Sequence, residues 1–531
     1  RYREPRLPVR RLSAPSLLGL AAALAGAVGV ASALTPEMAA RSDLVQGVLP
    51  PGVPDAARVL ALAFGIALVW LSRSLARRKR RAWQLAIALV VGSAVAHLAK
   101  GLDFEEASAT LVLLGALWRY RRSFDAPGDP ATIRPLIQVL LAGLATGGVA
   151  SLRLVDHMPY SDRLEDALLV LLGGLAFRAL YLWLRPLAQR VRQSDLERRA
   201  AERLVRARGH DSLSYFALRR DKSYFFSPSG ESFLAYRVLH GCALVSGDPI
   251  GKRSELPDLL EEFRRVAHAS GWRLGLLGTS QELQPLYRSL GLKSLYLGDE
   301  AIVRPDRFSL DGRAIRKVRQ SVTRLDRAGY TVRVIRAGDA DERVRREVAA
   351  VSSEWRGRWP ERGFTMAMDA LFDYPDSVLA LAEGPDGLGG FVQLVPTPAT
   401  GGYSLATMRR RRETPNGLME FLLVRTIEWG RERSVPELSL NFSVWGAVLR
   451  AEPGTCRKTR TFRYALLKLD RLFQLERLHS FNRKFMPEWR PRYVCFERRL
   501  DFPLVGLGYL QAESLLTPPG PWTRSPEGAP A

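Results

Sequence analysis

The sequence predicts a multi-pass α-helical membrane domain followed by an α/β soluble domain in which one structural unit is used twice. Three observations carry this. Six long apolar runs lie within residues 17–184. Lysine and arginine crowd into every second connector between them. The order hairpin, turn, helix, strand then occurs twice between residues 232 and 443.

The runs occupy residues 17–34, 59–72, 82–99, 107–118, 135–152 and 167–184. A spanning helix needs about 20 mainly apolar residues. The fourth run is the shortest, and a re-entrant segment is its alternative. The first run lacks a convincing cleavage site and five more follow, so it reads as an anchor rather than a signal peptide. These runs predict about six transmembrane helices within residues 1–186. Arg1, Arg3, Arg6, Arg10 and Arg11 precede the first run, and "RSLARRKRR" (73–81) follows the second. Arg119, Arg121, Arg122 and Arg134 follow the fourth; Arg185, Arg190, Arg192, Arg198 and Arg199 follow the sixth. The alternate connectors hold only Arg41, Lys100, Arg153 and Arg163. Positive charge stays on the cytoplasmic side. The expectation is a bacterial plasma-membrane protein with both termini, and everything after about residue 185, in the cytoplasm. Arg178, near the end of the sixth run, is expected to snorkel.

The chain has 531 residues and a net charge of +24. That length fits two to four domains, and that charge favours polyanionic partners such as nucleic acid or anionic lipid. Three dispersed cysteines and six dispersed histidines show no disulfide framework and no metal-ligand spacing, so no metal site is expected.

Residues 187–208 read as a charged helical linker, 209–308 as the first α/β unit, 309–515 as the second, and 516–531 as a Pro/Gly-rich disordered tail. In the first unit, "SFLAYRVLHGCALVSGDP" (232–249) reads as a hairpin. A helix with Ser254 as its N-cap and a strand at 272–278 follow. In the second, strands at 389–396 and 402–408 precede a helix at 417–433 and a strand at 437–443. A hairpin feeding a helix across a glycine-containing turn is the core of a tandem N-acetyltransferase-like (GNAT) fold. Helix N-termini there present unpaired N–H groups to the donor.

Three further stretches carry candidate chemistry. "DGRAIRKVRQSVTRLDRAGY" (311–330) places Ile315, Val318, Val322 and Leu325 on one helical stripe. Arg313, Arg316, Lys317, Arg319, Arg324 and Arg327 surround that stripe, either as a solvated face or as a phosphate-binding one. "SSEWRGRWPERGFTM" (352–366) interleaves Trp355, Trp359 and Phe364 with arginines, for stacking on a base or for core packing. "HSFNRKFMPEWRPRYVCFE" (479–497) holds Lys484 and Arg492 among aromatic residues, as anion binders or as a strand's cationic edge.

Together with "MRRRRETPNGLMEFLLVRTIEWG" (408–430), these stretches resemble the phosphatidylglycerol lysyltransferase family. Its members are also called multiple peptide resistance factors or aminoacyl-phosphatidylglycerol synthases. The likeness covers roughly residues 210–500. It implies transfer of a lysine-like amino acid from aminoacyl-tRNA to a glycerol hydroxyl of phosphatidylglycerol, with no cofactor, because the aminoacyl ester is already activated. The implied partners are aminoacyl-tRNA, anionic phospholipid and the membrane, with a second copy of the chain left open. On the resemblance, Arg409, Glu420 and Lys484 are the catalytic candidates. Arg410, Asn416 and Gly417 would shape a phosphate-facing mouth, joined by Arg316, Lys317, Trp355, Phe364 and Arg492 as substrate-binding residues. The plainer reading makes Asn416 an N-cap and Glu420 a dipole-matching acid. One departure stands out. The family typically carries an aspartate three residues before the arginine aligned with Arg409, and this chain has Ala406. That motivates one alternative, a catalytically impaired protein that binds tRNA or anionic lipid; a second, an acyl-CoA-dependent acyltransferase, is disfavoured because no Q/R-x-x-G-x-G/A pyrophosphate loop is evident at 409–417. The membrane part is also shorter than in members that translocate their product.

Overall fold

The computed structural model describes residues 13–35, 50, 53–101, 103–151, 161–185, 189, 191–361, 363–444 and 475–517. The arginine-rich N-terminal arm, Arg41, Arg153, Arg190, Arg362 and all but the first two residues of the expected tail lie outside them. The chain forms two compact units, one holding Arg1–Ala188 with Arg265–Trp272 and the other Gln189–Arg264 with Arg273–Ala531.

Six helices of the first unit coincide with the six apolar runs: α1 (Ala14–Leu34), α2 (Val53–Leu75), α3 (Arg80–Gly101), α4 (Phe104–Arg119), α5 (Ile133–Ser151) and α6 (Ser161–Leu184). Among the described residues, four stretches are long and apolar enough to cross a membrane: Ala14–Leu34, Ala56–Leu75, Arg80–Lys100 and Asp166–Leu184. Helix α4 has only 16 residues, in keeping with its short run, and the apolar stretch at Pro130–Thr146 is also shorter. Gly26 and Gly65 bring α1 and α2 close together. A Cβ added at Gly26 would lie 2.5 Å from the Gly65 carbonyl oxygen, the close backbone approach that small residues permit between membrane helices. Leu20, Leu24, Val28, Leu144 and Val170 are exposed, as side chains facing lipid would be.

The second unit opens with α7 (Asp195–Arg208), closed by a capping box in which Ser194 and Glu197 satisfy each other's backbone N–H. It starts later than the expected linker helix and is no free linker, because Ala201 and Val205 are buried in the same core as Tyr215 and Phe216. The strands are β1 (Ser223–Phe226), β2 (Ser232–Leu239), β3 (Cys242–Ser246), β4 (Ile250–Gly251), β5 (Arg273–Ser280), β6 (Lys293–Val303), β7 (Thr331–Arg336), β8 (Val378–Gly384), β9 (Gly387–Thr397), β10 (Gly402–Arg410), β11 (Leu438–Val444) and β12 (Glu488–Phe496). The helices between them are α8 (Leu256–Ala269), α9 (Gln284–Ser289), α10 (Arg316–Arg327), α11 (Glu342–Arg356), α12 (Leu418–Glu432) and α13 (Leu475–Asn482), with α14 (Phe502–Ala512) last.

The expected repeat is present: β2/β3, α8, β5 in one half and β9/β10, α12, β11 in the other. Ser254 is not the cap of α8; a short 3-10 turn, Arg253–Glu255, precedes that helix. Strand alternation decides the layers. Leu379, Leu381 and Phe391 pack with Val344, Val348 and Val351 of α11. Ala380, Ala382, Val392 and Leu394 pack on the other side with Phe421, Leu422 and Ile427 of α12, and with Val318, Val322 and Leu325 of α10.

The two halves are not separate domains divided near residue 308. All twelve strands form one sheet, ordered β1-β2-β3-β5-β12-β6-β11-β10-β9-β8-β7, with β4 paired to β2. The last strand of each half has crossed over. Strand β12 lies beside β5, and β6 lies beside β11. At the centre β12 and β6 pair antiparallel from Glu488↔Ile302 to Phe496↔Lys293. Arg492 on β12 bonds Glu300 on β6 at 2.5 and 2.9 Å and Asp211 at 2.6 and 2.9 Å, with all three side chains largely buried. Removing the cation from such a cluster strands two buried carboxylates. Arg492→Met is therefore expected to cost roughly 3–5 kcal/mol, read as a lower denaturant midpoint and as faster amide exchange in β6 and β12.

Candidate functional site

Strands β3 and β5 pair in parallel along five residues, Cys242↔Arg273 to Ser246↔Leu277. Their counterparts β10 and β11 pair only at Tyr403↔Leu438 and Ser404↔Ser439. Both strands then bulge: the β10/β9 register shifts between Leu405 and Thr407, and the β11/β6 register between Ser439 and Phe442. Asn441, at φ +69°, donates from Nδ2 to the Leu405 carbonyl at 2.9 Å and to the Met366 carbonyl at 2.5 Å. The second half thus has a parted strand pair with side-chain amide bridging in place of a ladder. Bulges of this kind re-aim side chains beside sites.

Arg409 closes β10. Its guanidinium is buried and bonds Glu361 and Ser352, and it lies 5.8 Å from the ring centroid of the exposed Trp355. Glu361 also pairs with Arg356 at 3.0 Å. Arg410 bonds the Thr414 hydroxyl, and Arg411 pairs with Glu354 at 3.1 Å. The arginine run is therefore anchored on α11 and its own turn. Arg409 and Arg411 are thus held by carboxylates, Glu361 and Glu354, rather than standing free for phosphate.

The turn ends at Gly417, at φ +89°, which occupies the N-cap position of α12. A Cβ there would fall 2.5 Å from Ser321 Oγ on α10. Asn416 is not the N-cap; it is exposed, and its carbonyl accepts from Arg324. Glu420, in the first turn of α12, accepts from Lys484 Nζ at 2.6 Å, and Lys484 lies 5.1 Å from the Phe481 ring. Two catalytic candidates 64 residues apart are thus joined at one helix start.

A cavity of about 450 Å³ opens in the first half. Arg208, Ser214, Asp248, Ser280, Trp489 and Arg492 are among its walls. Asp248 accepts from the Tyr287 hydroxyl at 2.6 Å and from the Ser280 backbone N–H at 3.2 Å. Burial, and next the neighbouring Asp211 charge, push its carboxyl up to about 6.

The family of phosphatidylglycerol lysyltransferase C-terminal regions matches residues 202–496. The chain belongs to this family. Every residue of the Arg409, Lys484 and Arg492 clusters falls inside the matched region. The lysylphosphatidylglycerol biosynthesis bifunctional protein LysX of Rhodococcus jostii is 33% identical over 502 residues, covering 86% of this chain and 45% of that protein. The chain thus spans less than half the length of that relative. The structure of L-PGS from Bacillus licheniformis aligns with a TM-score of 0.53 at 25% identity, over 59% of this chain and 95% of that one. The C-terminal domain of a putative lysylphosphatidylglycerol synthetase from Agrobacterium fabrum shares the fold, with a TM-score of 0.52 at 24% identity, over 60% and 98% of the two chains.

Within this lysyltransferase-family region the expected residues fall into separate places. Arg409 and Trp355 share one cluster, and Glu420, Lys484, Asn416 and Gly417 share the α12 start. Arg316 and Lys317 are exposed on α10. Phe364 is a correction: it is fully buried, with Lys222 Nζ 4.7 Å from its ring centroid, so it offers no stacking surface. Burial pushes Lys222 itself down to about 7. Arg492 is also corrected, from a substrate-facing cation to a buried structural one with a single side on the cavity. Sequence reading passed over Glu361, Asn441, Asp211, Asp248 and Glu300. Glu361 alone had a local signal, an acid amid the arginines of 356–362.

Removing Arg409 leaves Glu361 with the single partner Arg356. Arg409→Ala is expected to lower stability by roughly 1–3 kcal/mol, with Arg409→Lys recovering under half because an ammonium lacks the guanidinium fork; urea midpoints test this. Asp248 ionises less readily folded than unfolded. Its contribution to stability is complete below its unfolded value of 3.8 and is lost as pH rises through about 6. The stability of the native chain relative to Asp248→Asn should therefore fall between pH 4 and pH 6.5, as thermal melts across that range would show.

Proposed function

We propose that the chain is an integral membrane aminoacyltransferase that moves a lysine-like amino acid from aminoacyl-tRNA to phosphatidylglycerol on the cytoplasmic leaflet. The observation that carries the reading is the family match across the region holding the parted strands and the Glu420–Lys484 pair. The basic face of α10 supports a polyanionic donor. Arg313, Arg316, Lys317 and Arg327 form no ion pair among the described residues, while Asp326, which could have offset them, pairs with Arg425 at 2.6 Å. Lysine and arginine placement supports a cytoplasmic second unit.

In the reaction, the glycerol hydroxyl oxygen attacks the ester carbonyl carbon. A carbon–oxygen bond to the lipid forms, the bond to the terminal ribose oxygen breaks, and the hydroxyl proton ends on that ribose oxygen. Lys484, about two-fifths exposed beside Glu420, supplies a cation for the developing oxyanion. Glu420 holds that cation and carries the charge favoured at a helix start. Arg409, through Glu361, shapes the end of β10 rather than gripping phosphate.

Ala406 favours a second reading. Its side chain is buried in an apolar cluster with Phe364, Met368 and Val395, where no carboxylate meets the donor's amino group. An impaired chain that only binds tRNA or anionic lipid would follow from that. Labelled lysyl-tRNA and phosphatidylglycerol vesicles separate the two. The transferase reading expects RNase-sensitive label in the chloroform phase, reduced at least 100-fold by Lys484→Ala. Absence of lipid label with every aminoacyl-tRNA, alongside retained tRNA binding, would establish the binding reading instead.

A further inference from the structure

Charge accounting around the first-half cavity singles out two groups. Arg253 is offset by Glu282, Arg490 by Glu437 at 2.8 Å, and Arg492 by Asp211 and Glu300. The guanidinium of Arg208, exposed at the end of α7, forms no hydrogen bond or ion pair among the described residues. Asp248 uses its oxygens for Tyr287 and Ser280 only, and a carboxylate has about four acceptor positions. Ser214 and Ser280 also line the cavity.

We infer that this cavity is a binding site for a phosphodiester bearing a vicinal diol, with Arg208 taking the phosphodiester anion and Asp248 accepting from the diol hydroxyls. A guanidinium matches a phosphodiester in charge and fork geometry. A carboxylate with spare acceptor positions matches a pair of hydroxyl donors. A cationic aminoacyl group fits less well, because it would face Arg208 without an anion to offer it. The volume lies within the range of small-molecule sites. Phosphatidylglycerol carries this chemistry in its headgroup, so the inference rests on the proposed function and deepens it: the first half would hold the acceptor while the second presents the donor.

The buried network links the two. Arg492 forms a wall of the cavity and bonds Glu300. Glu300 accepts from the Ser439 hydroxyl at 2.5 Å. That hydroxyl oxygen accepts the Asn441 backbone N–H at 3.1 Å, and Asn441 bridges the parted strands. One chain of hydrogen bonds thus runs from the cavity to the split between β10 and β11.

Calorimetric titration of the detergent-solubilised full chain with glycerophosphoglycerol, inorganic phosphate and glycerol tests the site without turnover. The expected result is binding of glycerophosphoglycerol at least 10-fold tighter than either fragment, weakened at least 10-fold by Arg208→Gln and by Asp248→Asn. Native-like affinity in both variants overturns the assignment, as does phosphate binding as tightly as glycerophosphoglycerol. Arg208 is exposed, so Arg208→Gln decides alone if Asp248→Asn does not fold. With phosphatidylglycerol vesicles the same variants should raise the KM for lipid and leave the KM for aminoacyl-tRNA unchanged. Binding in a chain that transfers nothing would count against the aminoacyltransferase reading and leave the site standing. Transfer with an unchanged lipid KM in both variants would do the reverse.

Discussion

The exchange of β6 and β12 at the centre of the sheet is the constraint on which the second unit depends. Neither half completes its sheet with its own last strand. Each supplies the strand that closes the other, so the halves fold as one body despite the repeated unit. The ion cluster of Arg492, Glu300 and Asp211 sits on this crossing. A buried ion cluster is a poor source of net stability but a strong penalty on misregister, because a one-residue slip of β12 would turn Arg492 to the opposite face. Its clearest physical role here is to specify which strand pairs with which.

That crossing also gives the two mouths of the repeat unequal character. In the first, β3 and β5 keep a full parallel ladder and the space beyond it is an open polar cavity. In the second, β10 and β11 part after two residue pairs, and the segment around Met366 is tied into the gap through Asn441. Buried Glu513 anchors that segment by accepting from the Phe364 and Thr365 backbone N–H groups at 2.8 and 3.1 Å. Duplicated units have thereby acquired different chemistry. Carboxylates and Arg208, which has no ion pair among the described residues, line the first mouth, and a lysine–glutamate pair stands at the helix start of the second.

The large positive charge is distributed with the same logic. Buried arginines with carboxylate partners, such as Arg409, Arg219 and Arg492, shape backbone and are not available to ligands. Arg316, Lys317 and Arg327 of α10, and Arg208, are among the cations that form no ion pair among the described residues. Net charge identifies a class of partner, but only ion-pair geometry separates the cations that can meet that partner from those already occupied.

By itself the sequence determined the helical first third, the repeated hairpin–helix–strand order, the buried stripe Ile315, Val318, Val322 and Leu325, and the family. These follow from periodicity, turn residues and local motifs, which act over a few residues. The tertiary structure alone decided that β6 and β12 change places, that Arg409 is spoken for by Glu361, that Glu420 meets Lys484, and that Asp248 faces an open cavity beside Arg208. Each of these joins residues tens to hundreds of positions apart. Single-chain pattern has no term for such pairings, because they are selected by sheet register and burial after the local elements have formed. Phe364 shows the same limit: arginines beside an aromatic residue look alike in sequence whether the ring lies on a surface or in a core.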